Sequence, residues 1–98
     1  MKHNWLLIWR HLKDVENISH TIRPKNTMDA VGCLDGAERA GLRVVGPYQT
    51  PLGEPAIGIR HPDGHKLGEL IFEFRCDAAF AKQGLATRRR EGGNRENA

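Results

Sequence analysis

The fold is decided by residues 56–74, AIGIRHPDGHKLGELIFEF, in which a turn sequence separates two apolar runs. The Asp-Gly pair alone would suit a two-residue hairpin loop, but Pro62 would then have to exchange backbone hydrogen bonds with His65, and proline has no N–H to donate. Pro62 instead suits the first central position of a type I turn, Asp63 the second, and Gly64 the left-handed position that follows. We therefore predict a β-hairpin with a three-residue loop.

This loop length fixes the register of the hairpin and the two faces of its strands. The pairs, counted back from the loop, are His61–His65, Arg60–Lys66, Ile59–Leu67, Gly58–Gly68, Ile57–Glu69 and Ala56–Leu70. Side chains alternate across a strand, so one face carries Ile57, Ile59, His61, His65, Leu67 and Ile71, with Glu69 and Glu73 among them. The other face carries Gly58, Gly68, Leu70, Phe72 and Phe74. The uncharged second face is the predicted core face, and its opposed glycines would leave a dent that Trp5 or Trp9 fills or a ligand occupies.

Two helices and several further strands are predicted around the hairpin. The run from Trp5 to Trp9 fits a strand or a helix, and we prefer a strand because a second predicted strand follows it, the alternating segment 18–23 that ends at Pro24. A helix begins at Asn26 or Thr27, with Asp29 in its first turn, and ends at Gly41. The remaining elements are a short strand at 42–45, stopped by Gly46-Pro47, and a short helix at 78–85.

The predicted fold class is therefore α+β. We expect a small, mostly antiparallel sheet of about five strands in the order ββαβββ, with one main helix packed on one face and a short C-terminal helix. Residues 1–86 form a single domain, and residues 87–98 form a basic tail that has almost nothing to bury and is predicted to be disordered.

Composition favours an ordinary globular domain without a membrane partner. The chain has 98 residues, of which 39% are hydrophobic, and no run approaches the roughly 20 apolar residues of a membrane span. Charged residues follow Trp9 at once, unlike the pattern of a signal peptide. We expect a cytoplasmic protein in which Cys33 and Cys76 are buried free thiols.

His61, Asp63 and His65 form the cluster with the most chemical potential. Two imidazoles facing each other across a hairpin mouth can share a metal ion, with Asp63 adding an oxygen ligand. The two histidines can also act as general acid and base in a hydrolase or nuclease. A pair of solvent-exposed turn histidines is the plainer interpretation, so we assign no confident catalytic or metal site and expect no cofactor.

The positive charge lies at the two ends of the chain. Residues 1–26 contain five Lys/Arg and two Asp/Glu, residues 27–75 five and seven, and residues 76–98 five and three. The candidate contacts to a nucleic-acid backbone are Arg10, Lys13, Arg23, Lys25, Arg88, Arg89 and Arg90. The tail also carries two glutamates and no aromatic residue for base stacking, which lowers the specificity of this signal.

Our first functional hypothesis is a small non-enzymatic interaction module that binds a protein or peptide, or a second copy of itself as a homodimer, through the face or edge of the sheet. The amphipathic hairpin face motivates it. The expected partner-binding residues are Ile57, Ile59, Leu67, Ile71 and Tyr48. Nucleic-acid binding through the basic ends is the alternative, and a hydrolase or nuclease that uses His61 and His65 is the second alternative.

Overall fold

Three helices pack on one face of a four-stranded mixed sheet in the computed structural model, which describes residues 4–15 and 19–96, with side chains through residue 91. The elements are α1 (Trp5–Lys13), β1 (His20–Ile22), α2 (Thr27–Arg39), β2 (Arg43–Gln49), β3 (Pro55–Arg60), β4 (Lys66–Ile71) and α3 (Arg75–Glu96). The strand order is β1-β4-β3-β2, with β1 parallel to β4 and the other neighbours antiparallel. The α+β class is as predicted, whereas the five-strand ββαβββ order is wrong.

The first apolar run forms helix α1 and not the predicted strand. The Asn4 side chain caps it by accepting a hydrogen bond from the backbone N–H of Leu7 at 3.3 Å. Trp9 is fully buried and its indole N–H donates to the carbonyl oxygen of Cys33 at 2.9 Å. A five-residue apolar run fits both periodicities, and packing against α2 selects the helical one. Residues 16–18, which include part of the predicted second strand, lie outside the described residues.

Helix α2 begins and ends as predicted. Asn26 accepts a hydrogen bond from the backbone N–H of Asp29 at 2.8 Å, and Gly41 adopts a φ of 86° just after the helix. At Gly36, α1 approaches so closely that an added Cβ would lie 2.6 Å from the Cβ of Trp5. The absence of a side chain at Gly36 therefore allows α1 to pack directly against α2.

The hairpin has the predicted loop but not the predicted register. The backbone N–H of His61 donates to the carbonyl of His65 at 2.9 Å, Gly64 has a φ of 102°, and Arg60 pairs with Lys66. Beyond that pair a β-bulge at Leu67 shifts the strands by one residue, so that Ile59 lies opposite Gly68. The shift moves Glu69 away from the isoleucines of β3, which can then enter the core.

The two hairpin glycines consequently lie on opposite faces and form no shared dent. Gly68 faces the helices, where an added Cβ would lie 3.0 Å from the Trp9 ring. Gly58 faces the other way, and an added Cβ there would lie 3.1 Å from the Tyr48 hydroxyl. Trp9 covers Gly68 and Tyr48 covers Gly58, so the predicted dent between opposed glycines is wrong.

Strand β2 continues through Gly46-Pro47, where the sequence predicts a stop. Pairing with β3 is interrupted at these two residues and resumes when Tyr48 pairs with Ala56. The peptide bond before Pro47 is cis. The resumed pairing is what brings Tyr48 onto the sheet, since the predicted strand would have left it in a loop.

Helix α3 is much longer than predicted and includes most of the residues assigned to a disordered tail. The guanidinium of Arg88 lies 3.7 Å from the carboxylate of Asp35, and Arg89 donates to Glu38 at 2.7 Å. Both acidic residues belong to α2, so these ion pairs attach the end of α3 to that helix. On this helix Phe80 is exposed, while Ala81 and Leu85 are buried. Phe74, predicted to lie in the core, is exposed just before the helix.

Both cysteines are free thiols, as predicted, but only one is buried. Cys33 lies in the core and Cys76 is exposed on the first turn of α3. Burial is the main influence that raises the pKa of the Cys33 thiol to about 12. Cys33 therefore behaves as a small apolar core residue.

Candidate functional site

The face of the sheet that points away from the helices is the first candidate site, and we call it the outer sheet face. No described helix packs on it, because the residues that contact the helices alternate with those that point outward. Its members, assigned from the register, are Thr21, Arg43, Val45, Tyr48, Ala56, Gly58, Arg60, Lys66, Glu69 and Ile71. Val45 and Tyr48 are half-buried, whereas Ala56, Gly58 and Ile71 are buried beneath their neighbours.

A tyrosine spans the centre of this face. The Tyr48 ring lies over Gly58 of β3 and its hydroxyl donates a hydrogen bond to the carboxylate of Glu69 on β4, which also binds the ammonium of Lys66 at 3.0 Å. Burial raises the pKa of Glu69, but the hydrogen bonds from Tyr48 and Lys66 outweigh it and hold the pKa below its ordinary value. Burial first, and then the contact with Glu69, raises the pKa of Tyr48. At neutral pH the network therefore contains a carboxylate and a protonated phenol.

The loop at residues 50–54, which we call the Leu52 loop, projects an apolar side chain beside this face. Leu52 is 86% exposed. Backbone hydrogen bonds from Thr50 to Glu54 (2.9 Å) and from Gly53 to Thr50 (2.8 Å) close the loop, and Glu54 pairs with Arg23 at 3.2 Å. Leu52 and Ile71 both line an open depression of about 500 Å³. The Leu52 side chain therefore projects from a loop whose backbone is hydrogen-bonded.

Charges of opposite sign lie at the two ends of the outer sheet face. Arg43, Arg60 and Lys66 occupy the strand ends near the hairpin loop, and all three are exposed. Glu73 is exposed at the opposite end, where it lines the depression next to Ile71 together with the ion pair between Glu54 and Arg23. Such an arrangement complements itself when two copies meet in antiparallel orientation.

The predicted partner-binding residues divide between the two faces. Ile57, Ile59 and Leu67 are at most 1% exposed and belong to the core, so their predicted placement on a surface is wrong. The β-bulge is the physical reason, because it turns these side chains toward the helices. Ile71 and Tyr48 lie on the outer sheet face. Leu52 was missed, although its position between Pro51 and Gly53 marks an ordered loop that exposes an apolar side chain.

The predicted histidine cluster is brought together at the hairpin loop. The rings of His61 and His65 stack with their centroids 4.8 Å apart and their planes at 13°. Asp63 lies between them, with one carboxylate oxygen 2.5 Å from Nδ1 of His65 and the other 3.3 Å from Nδ1 of His61. All three side chains are open to solvent to some extent. The geometry is that of two imidazoles sharing one carboxylate at the surface.

Most of the basic residues predicted to contact nucleic acid form ion pairs or hydrogen bonds within the fold. Arg88 and Arg89 pair with acidic residues of α2, and Arg23 pairs with Glu54. The ammonium of Lys13 donates to the carbonyl of Ala40 at 3.2 Å, beyond the end of α2. Arg10, Lys25 and Arg90 are exposed. Four of the seven candidates thus have a role within the fold.

Other exposed apolar side chains lie on the helical side of the molecule. They are Leu7 on α1, Met28 on α2 and Phe80 on α3, with Phe74 just before α3. A second open depression, of about 710 Å³, runs between α1 and α2, and its lining combines Trp5 and Met28 with five charged side chains: Lys25, Asp29, Asp35, Arg39 and Arg88.

The chain matches no protein-family model, no curated protein and no solved structure. Within the described residues, no helix is both long enough and apolar enough to cross a membrane. The surfaces described above are therefore the basis for assigning a function.

Proposed function

We propose that this chain is a small non-enzymatic interaction module that self-associates as a homodimer through the outer sheet face and the Leu52 loop. The observation that carries the proposal is the 86% exposure of Leu52 on a loop closed by backbone hydrogen bonds. Because the backbone of the loop is already ordered, binding through Leu52 costs less conformational entropy than binding through a flexible segment, which suits an interface anchor.

Three features of the surroundings support a protein partner. Tyr48 and Val45 are half-buried beside the loop, and both are residue types that retain apolar area on a sheet surface. The depression shared by Leu52 and Ile71 can receive a side chain from a partner. The two ends of the outer sheet face carry charges of both signs, whereas a surface that binds nucleic acid would be uniformly basic.

A second copy of the chain is the partner that the charges favour. In a twofold arrangement the same patch contacts itself. The basic end, with Arg43 and Arg60, then meets the exposed Glu73 of the other copy, if the strands of the two sheets run in opposite directions. The two Leu52 loops lie at one end of the patch, so each would contact the distal half of the partner's sheet.

Sedimentation velocity over a wide concentration range tests the proposal. We expect the wild-type chain to form a dimer, and the Leu52→Glu variant to shift toward the monomer because it places a charge in an apolar contact. Leu7→Glu and Phe80→Glu are the matched controls, since these residues are 56% and 59% exposed on the helical side. A wild-type monomer at every concentration, or a dimer that only the controls disrupt, would contradict the proposal.

A further inference from the structure

The hairpin loop carries a side-chain arrangement that the interaction surface does not use. His61, Asp63 and His65 place one nitrogen or oxygen each within 4.8 Å of one another. Two imidazoles and one carboxylate are a ligand set suited to borderline divalent transition metals such as Zn²⁺ and Cu²⁺, and poorly suited to Mg²⁺, which prefers oxygen ligands.

We propose that His61, Asp63 and His65 form a binding site for one divalent transition-metal ion of the Zn²⁺ or Cu²⁺ class. The carboxylate contacts Nδ1 of both stacked rings, so the three side chains are already adjacent and can converge on one ion by side-chain rotation without a change in the backbone. Exposure of all three side chains leaves coordination positions open to water.

The turn itself holds the central ligand in place. One oxygen of the Asp63 carboxylate accepts a hydrogen bond from the backbone N–H of His65 at 2.9 Å. The loop is closed by hydrogen bonds between His61 and His65 (2.9 Å) and between Gly64 and His61 (2.8 Å). Arg60 adds a hydrogen bond from its guanidinium to the carbonyl of Gly64 at 2.8 Å. These bonds fix the backbone of all three ligands, so binding a metal requires only side-chain rotation.

Isothermal titration calorimetry of the untagged chain with ZnCl₂, and separately with MgCl₂, tests the site. We expect one Zn²⁺ per chain, bound much more tightly than Mg²⁺. His65→Gln and Asp63→Asn should each lower the Zn²⁺ affinity by about 10-fold or more, the lower bound being what the loss of an outer-shell partner costs at known sites. An asparagine side chain retains an oxygen that can accept from the His65 backbone, so the Asp63→Asn variant preserves the turn.

The matched control is His11→Gln, because His11 is an exposed histidine on α1 and distant in the chain from the loop. It should leave the Zn²⁺ affinity unchanged, and circular dichroism should show that every variant is folded. Zn²⁺ binding no tighter than Mg²⁺ binding, or equal Zn²⁺ affinity in the wild type and in His65→Gln, would overturn the proposal. This result is independent of dimer formation, so either proposal can fail without the other.

Discussion

Gly58 is the residue that allows Tyr48 to lie across the sheet. An added Cβ would lie 3.0 Å from Cγ2 of Val45 and 3.1 Å from the Tyr48 hydroxyl, both tighter than ordinary contacts. The side chain of any larger residue would push the ring away from the Glu69 carboxylate. The outer sheet face therefore depends on the absence of a side chain at this one position.

Gly58→Ala should lower the free energy of unfolding by about 1–3 kcal/mol, the usual cost of overpacking. Urea unfolding is the measurement. In a Tyr48→Phe background the same substitution should cost less, because the hydroxyl contact and its hydrogen bond are already gone. An equal cost in both backgrounds would mean that Gly58 is not required to accommodate the tyrosine hydroxyl.

The hairpin illustrates what residue patterns could and could not predict. Pro62 correctly excluded the two-residue loop, because its missing N–H is a local property. The cause of the bulge at Leu67 is not local, because the bulge is favoured by the burial of Ile57 and Ile59 against helices that are distant in the sequence. Burial of one such side chain contributes roughly 1.5–3 kcal/mol, which is enough to select the shifted register over the one that alternation predicts.

At the scale of elements, the contact between α1 and α2 at Gly36 determines how the helical layer is assembled. An added Cβ at Gly36 would lie 2.8 Å from the backbone nitrogen of Leu6, so one helix would have to move. At Gly32, on the same helix, the nearest atom to an added Cβ is Cδ1 of Trp5 at 3.6 Å, an ordinary contact. The two glycines therefore provide a matched comparison.

Gly36→Ala should destabilise the protein by about 1–3 kcal/mol because of overpacking, despite the better helix propensity of alanine. Gly32→Ala should instead stabilise it, by up to about 1 kcal/mol, because only the propensity changes. Thermal unfolding followed by circular dichroism measures both. Stabilisation by Gly36→Ala would show that α1 does not pack against α2 at this point.

The elements differ in how far their own residues determine them. Helix α2 was predictable because Asn26, Asp29 and Gly41 are caps and charges within its own segment. Helix α1 was not, because Trp5 to Trp9 is apolar on every side and only packing distinguishes the alternatives. The end of α3 was not predictable either, since Arg88 and Arg89 are held by residues of α2 far away in the sequence.

At the scale of the whole molecule, β1 pairs in parallel with β4 and not with its sequence neighbour. This crossover carries α2 onto the same side of the sheet as α1 and α3. All three helices then lie on one face of the sheet, and the other face consists of strand side chains that no described helix covers. The α+β class followed from the presence of both helical and alternating patterns, whereas the distribution of the helices required this long-range pairing.

The central claim is that the outer sheet face, with the Leu52 loop, is where the chain contacts its second copy. Hydrogen exchange measured by mass spectrometry at low and high protein concentration tests the location directly. Raising the concentration should slow exchange in peptides covering residues 43–55 and leave exchange in α1 and the first half of α3 unchanged. Slower exchange confined to the helices, or no dependence on concentration anywhere, would contradict it.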